Sequence, residues 1–263
     1  MFSEKLKKYA ESQYEERLGI LGETGRIVEE KMKSCTPDEQ ILMKFLYGTM
    51  PVRDAGEYEF EVFLGYVRHS LMVYTTMDWC RDLSEEIFIN HVLYYRINSE
   101  NIVDCRRFFY DQLIDRIRGL SAKEAALEIN YWCAENGSYE ASDRRTISPV
   151  TLYKSGKGRC GEESTFAVTA FRSVGIPARQ VYTPRWAHCD DNHAWVEVYV
   201  DGKWHFLGAC EPEEILDKGW FSSASSRALL VHSRSFSDFM SERKEGCLGK
   251  QELLYYYNHT DTY

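Results

Sequence analysis

The residues most able to do chemistry are a cysteine and a histidine, each placed where an element begins. Cys160 lies in "GRCGEESTF" (158–166), just ahead of a helical pattern whose apolar positions are Phe166, Ala167, Ala170, Phe171 and Val174 and whose end is Gly175-Ile176-Pro177. A thiol in the first turn meets unpaired backbone N–H groups and the positive end of the macrodipole. Both favour a thiolate, and the same N–H groups can hold an oxyanion once sulfur attacks a carbonyl. Gly158 and Gly161 leave room for a substrate backbone. A nucleophilic cysteine needs a base, and His193 supplies one at the mouth of the strand pattern "HAWVEVYV". On a hairpin formed with the next strand, an orienting carboxylate is wanted near position 208, where Gly208 stands.

Other residues near these two have competing readings. Arg185 and Trp186 precede His193 on an expected loop, where they would bind a substrate carboxylate and stack on its apolar part, or do nothing. Gly161 and Trp195 complete the expected substrate-binding set. Arg159 either lowers the Cys160 pKa or pairs with Glu162 or Glu163, two acids that would complement the helix dipole. Trp132 and Tyr139 are candidate oxyanion or wall groups, with Trp132 better suited to the core. His188, Cys189 and His193 lack a fourth ligand and a familiar spacing, so neither a metal nor a cofactor is expected.

The elements that must position these groups come from periodicity and punctuation. Thr36, Pro37 and Glu39 form a capping box that starts a helix, and Gly48 is expected to end it. Apolar spacings of three and four follow in 58–74, 84–97 and 103–117. Ser121 and Glu124 cap another helix that Gly137 stops. Residues 138–157 are polar and read as a surface loop. Beyond 175 the period becomes two: strands are expected over 178–187, 193–200 and 203–209, the last pair joined by the Asp201-Gly202 hairpin turn. A short helix near 213–221 and a strand over 227–234 are expected next. The expected organisation is a helical region over 1–119 that forms a cap or a docking surface, a catalytic core over 120–235 and a C-terminal extension over 236–263, with a continuation into a further domain as one expectation.

The net charge of −9, from 32 basic and 41 acidic residues, argues against nucleic acid or an anionic membrane as a partner. No apolar run has the length of a membrane span and the N-terminus does not read as a signal peptide, so a cytoplasmic location is expected. The eight cysteines contain no CxxC pair, and reduced thiols are expected.

Taken together, Gly-x-Cys-Gly opening a helix, the Gly-Ile-Pro-Ala-Arg end, His-Ala-Trp-Val-Glu-Val and the strand with Trp204 resemble the core of the transglutaminase-like superfamily. The resemblance covers roughly residues 120–235. It implies an α+β, papain-like fold in which a catalytic helix packs on an antiparallel sheet, with Cys160 as nucleophile and His193 as general base. The family's triad acid falls on Gly208, and Glu211 is the first choice to replace it, ahead of Asp191 and Asn192. A distant similarity to the peptide N-glycanase core appears in "WHFLGACEPEEILDKGWF", without the paired CxxC zinc ligands of those enzymes. The expected function is a cysteine enzyme acting on amide or peptide bonds of a peptide, protein or glycopeptide through a thioester, with hydrolysis preferred over cross-linking. The alternative is an inactive domain that binds peptide or saccharide.

Overall fold

The computed structural model describes residues 1–141, 145–239, 247–251 and 254–263. Local capping sets the helical half: Ser3 accepts from Leu6 N–H to start α1 (Glu4–Leu21), and the Thr36–Glu39 box starts α3 (Pro37–Thr49), after α2 (Glu23–Met32). α4 (Val52–Glu57), α5 (Phe60–Thr76), α6 (Asp78–Arg81) and α7 (Glu85–Phe88) follow, the last running into a π-helical turn over Ile89–Leu93. α8 (Arg106–Leu113) and the box-capped α9 (Ala122–Asn136) complete this half. Gly48 does not end α3. It lies inside the helix, where a Cβ would come within 2.8 Å of Gln13 and Tyr14, so its absent side chain lets α1 pack directly on α3.

The expected loop over 138–157 contains structure. β1 (Ser138–Tyr139) pairs in parallel with β2 (Lys157–Gly158), and α10 (Pro149–Ser155) lies between them, capped by Ser148 and closed by left-handed Gly156; residues 142–144 of that segment lie outside the described residues. α11 (Cys160–Ser173) then packs on an antiparallel sheet of β3 (Ala178–Thr183), β4 (His193–Val200), β5 (Lys203–Leu207), β6 (His232–Ser235), β7 (Cys247–Gln251) and β8 (Leu254–Asn258), in the order β5-β4-β3-β6-β8-β7. The architecture is α+β. Asp201 and Gly202 both have positive φ, 53° and 81°, as a two-residue hairpin turn between β4 and β5 requires.

Three expectations fail for reasons of local bonding. β3 stops at Thr183 because Pro184 cannot continue the ladder. No helix forms over 213–221: Asp217 accepts from Phe206 N–H and faces His205, while its own N–H donates to Phe206 O, which ties the segment alongside β5; the helix that does form, α12, spans Ser222–Ser225. The strand expected over 227–234 begins at His232, since Ala228 N–H still belongs to the turn leaving α12. Beyond residue 236 the chain re-enters the same sheet, with β8 pairing to β6.

The two faces of β4 carry different cores. Val196 and Val198 join α11 and the helical half in one apolar interior that also holds Leu6, Phe45, Phe109 and Phe166. On the opposite face, Trp195 packs with Val181, Trp186 and Phe221. Among the described residues no helix is long and apolar enough to cross a membrane.

Candidate active site

Cys160 is the first residue of α11, and the turn before it is held from several sides. The Glu162 carboxylate accepts from Arg159 N–H at 2.8 Å and Ile147 N–H at 3.1 Å, and pairs with the Arg159 guanidinium at 3.3 Å. From β3, Gln180 Nε2 donates to Gly161 O at 2.9 Å and to Ser164 Oγ at 2.6 Å. Gln180 is itself oriented by Asn98, whose Oδ1 accepts from Arg234 at 2.6 Å. The helix end is thus fixed against the sheet by a polar chain rather than by apolar contact alone.

The thiol is not depressed as its position at a helix start suggests. Burial pushes the Cys160 pKa up and outweighs the N–H groups of Ala194 and Gly161, which favour the thiolate. Arg159, whose charge was a candidate for lowering it, is engaged by Glu162.

His193 opens β4 opposite Thr183. Its ring sits among aromatic side chains, with centroids 4.9 Å from Trp220, 5.1 Å from Phe221, 5.9 Å from Trp195 and 6.1 Å from Trp186. This burial lowers its pKa to about 4, against a smaller opposing pull from Asp191, so the imidazole is neutral near pH 7. Nε2 is buried and has no hydrogen-bond partner among the described residues.

A cleft of about 750 Å³ is lined by Cys160, Gly161, His193, Trp186 and Glu211 together. Two residues expected at the substrate lie elsewhere. Trp195 is fully buried beneath His193, donating from Nε1 to Tyr263 OH at 2.9 Å, because residues 193 and 195 share the sheet face that carries the second apolar cluster. Arg185 is largely exposed, pairs with Asp190 at 3.4 Å and does not line the cleft. Tyr139 is at the rim, while Trp132 is in the core.

Glu211 occupies the room a side chain at 208 would take: a Cβ on Gly208 would lie 2.5 Å from Glu211 Oε2. Its carboxylate reaches Trp220 Nε1 at 2.9 Å through both oxygens, and Trp220 in turn leans on the imidazole. Glu211 thus touches His193 through an indole and not directly. Asp191 and Asn192 line the cleft beside the ring, also without a hydrogen bond to it. Sequence reasoning missed Asn98, Glu163, Gln180, Tyr182, Trp220 and Arg234, which complete the lining. Strand alternation around Gln180 and Tyr182 carries a signal for those two, and Glu163 lies one turn after Cys160 but reads as a dipole-complementing acid; Asn98, Trp220 and Arg234 come from distant segments. Among the described residues no three His, Cys, Asp or Glu side chains are grouped to hold a metal ion.

Residues 111–209 match the family model of the transglutaminase-like superfamily. The chain carries a transglutaminase-like core. A solved structure described as a candidate cysteine protease from Cytophaga hutchinsonii is similar at 16% identity with a TM-score of 0.39, over 68% of this chain and 64% of that one. A search of curated proteins finds no match. Within the matched segment lie both Cys160 and His193, and the similarity supports a cysteine-enzyme function at the family level.

Proposed function

We propose that the protein cleaves an amide or peptide bond by attack of Cys160, with His193 moving the proton. The observation that carries the reading is the convergence of a helix-start thiol and a strand-start imidazole on one cleft. Because the thiol is pushed up and the imidazole down, the resting pair is thiol and neutral imidazole rather than thiolate and imidazolium. Sulfur attacks the carbonyl carbon as its proton passes to His193. The oxyanion forms on the carbon bound to the sulfur, two bonds from it, near the N–H groups of Gly161 and Ala194 that act on the thiol. A buried imidazolium is unstable, so the proton moves on to the leaving amine as the C–N bond breaks and a thioester remains. Water then attacks the thioester with His193 as base, releasing the acid and restoring the thiol. Glu211 acts as a positioning residue, bracing Trp220 against the imidazole. The peptide, protein or glycopeptide substrate and the preference for water over an amine acceptor belong to the same proposal.

A second reading is a binding domain on this fold. Its support is that, among the described residues, no carboxylate hydrogen-bonds His193 Nε2 and that Gly208 stands at the usual acid position. Intact-mass measurement during turnover of peptide p-nitrophenyl esters separates the two. The enzyme reading predicts an acyl adduct on Cys160 that is absent in Cys160→Ala and forms about 10²-fold or more slowly in His193→Ala. No adduct, with peptide binding unchanged in both variants, favours the binding domain.

A further inference from the structure

Among the described residues the buried acids are partnered, with one exception. Asp54 accepts from Arg96 at 2.6 and 2.8 Å, Glu39 from Arg68 at 2.6 Å, and Glu197 from Arg179 at 2.6 Å. Glu162 pairs with Arg159, and Glu100 accepts from the N–H groups of Ile97 and Asn98 at 2.8 and 2.7 Å. Glu163 is only 3% exposed, lines the cleft, and has neither a cation nor a hydrogen-bond donor among the described residues.

Its surroundings add negative charge. Glu163 lies one helical turn from Cys160, and the groups acting on it are Glu211 and Glu162. The thiol of Cys210 is the other titratable group near both Glu163 and Glu211. Burial and these acids raise the Glu163 pKa to about 8, and burial raises that of Glu211 as well. A buried carboxyl in such surroundings ionises only when a cation is brought beside it. Trp220, 63% exposed and lining the same cleft, is tied by its N–H to Glu211. Carboxylates beside an indole suit an alkylammonium or guanidinium group, and the net charge of −9 favours the approach of a cation.

We propose that Glu163, Glu211 and Trp220 form a cation subsite that receives an ammonium or guanidinium side chain of the substrate next to the amide under attack. The assignment of the cation to a substrate side chain rests on the reading of Cys160 as the nucleophile; the cation site itself does not. On binding, the cation replaces the proton of Glu163, which leaves for solvent.

Calorimetric titration with propylguanidinium and butylammonium, in phosphate and in Tris at pH 7, tests the site in the full chain. Both probes are expected to bind wild type and Cys160→Ala alike and to release protons, seen as a buffer-dependent heat. Glu163→Gln should weaken binding at least about tenfold and abolish the proton release, and Glu211→Gln should weaken it to a similar extent. Thermal unfolding establishes that both variants are folded. Equal binding of n-butanol, or unchanged binding in Glu163→Gln, overturns the subsite. Because Cys160→Ala retains the site, a failure of the nucleophile reading is seen separately in the acyl-adduct measurement. Peptide esters carrying lysine, arginine, glutamine or norleucine beside the scissile carbonyl place the cation: faster acylation by the two cationic peptides is expected. Butylamine incorporated into the product without such a preference overturns the assignment to a substrate side chain.

Discussion

At the scale of residues, one cleft holds a buried neutral imidazole, His193, and a buried acid, Glu163, with no partner among the described residues. Glu163 has a folded-state pKa of about 8 against an ordinary carboxyl value near 4.5, so folding retains its proton. It costs nothing below about pH 4.5, and stability is lost progressively as pH rises from there to about 8. Glu163→Gln should therefore stabilise the protein by on the order of 2–3 kcal/mol at pH 7 and by much less at pH 4.5, as measured by denaturant unfolding at the two pH values. The sequence places this residue in a first helical turn, where acids complement the dipole, and nothing in its neighbours reveals burial. Trp195 is the reverse case. Strand alternation puts it on the face of His193, but which depth of that face meets the cleft depends on Phe221 and Tyr263, far along the chain.

Elements governed by local chemistry were legible. The Thr36 and Ser121 capping boxes and the Asp201-Gly202 turn form as their residue types dictate. The Ser148-Pro149 start of α10 follows the same grammar, and its polar setting concealed it. Elements fixed by distant partners were not legible: β8 exists through pairing to β6, and the segment near Asp217 is drawn along β5 instead of coiling. Gly48 belongs here too, since its spacing suggests a helix stop while packing explains it. Gly48→Ala, helix-favouring in isolation, should destabilise the protein by about 1–3 kcal/mol, because the added methyl must push α1 away. Urea unfolding of the variant checks this, and a stabilised Gly48→Ala would show that α1 yields freely.

For the whole molecule, buried histidines set the response to acid. His69, His193 and His259 each have folded-state pKa values near 4, lowered chiefly by burial, against an ordinary 6.5. Their stabilising contribution is full above about pH 6.5 and is lost as pH falls through 4, by up to about 3 kcal/mol each. Glu163 acts with the opposite sign toward high pH. The melting temperature should therefore fall steeply between pH 6.5 and 4, and a flat profile over that range would mean that these imidazoles are solvated. The same packing joins the two regions that carry the chemistry. α11 lies in the apolar interior shared with the helical half, and the chain's last residue, Tyr263, donates to Glu197 of β4 at 2.5 Å. The family match at 111–209 thus covers Cys160 and His193 but not Asn98, Trp220 or Arg234, which line the same cleft.

The most direct test of the account is the rate of iodoacetamide alkylation at Cys160 across pH 5–9, located by peptide mass spectrometry, in wild type and His193→Ala. The account predicts a reactive Cys160 whose rate at pH 7 falls at least about tenfold when the imidazole is removed. A rate indifferent to His193, or a Cys160 inert in both proteins, would contradict it.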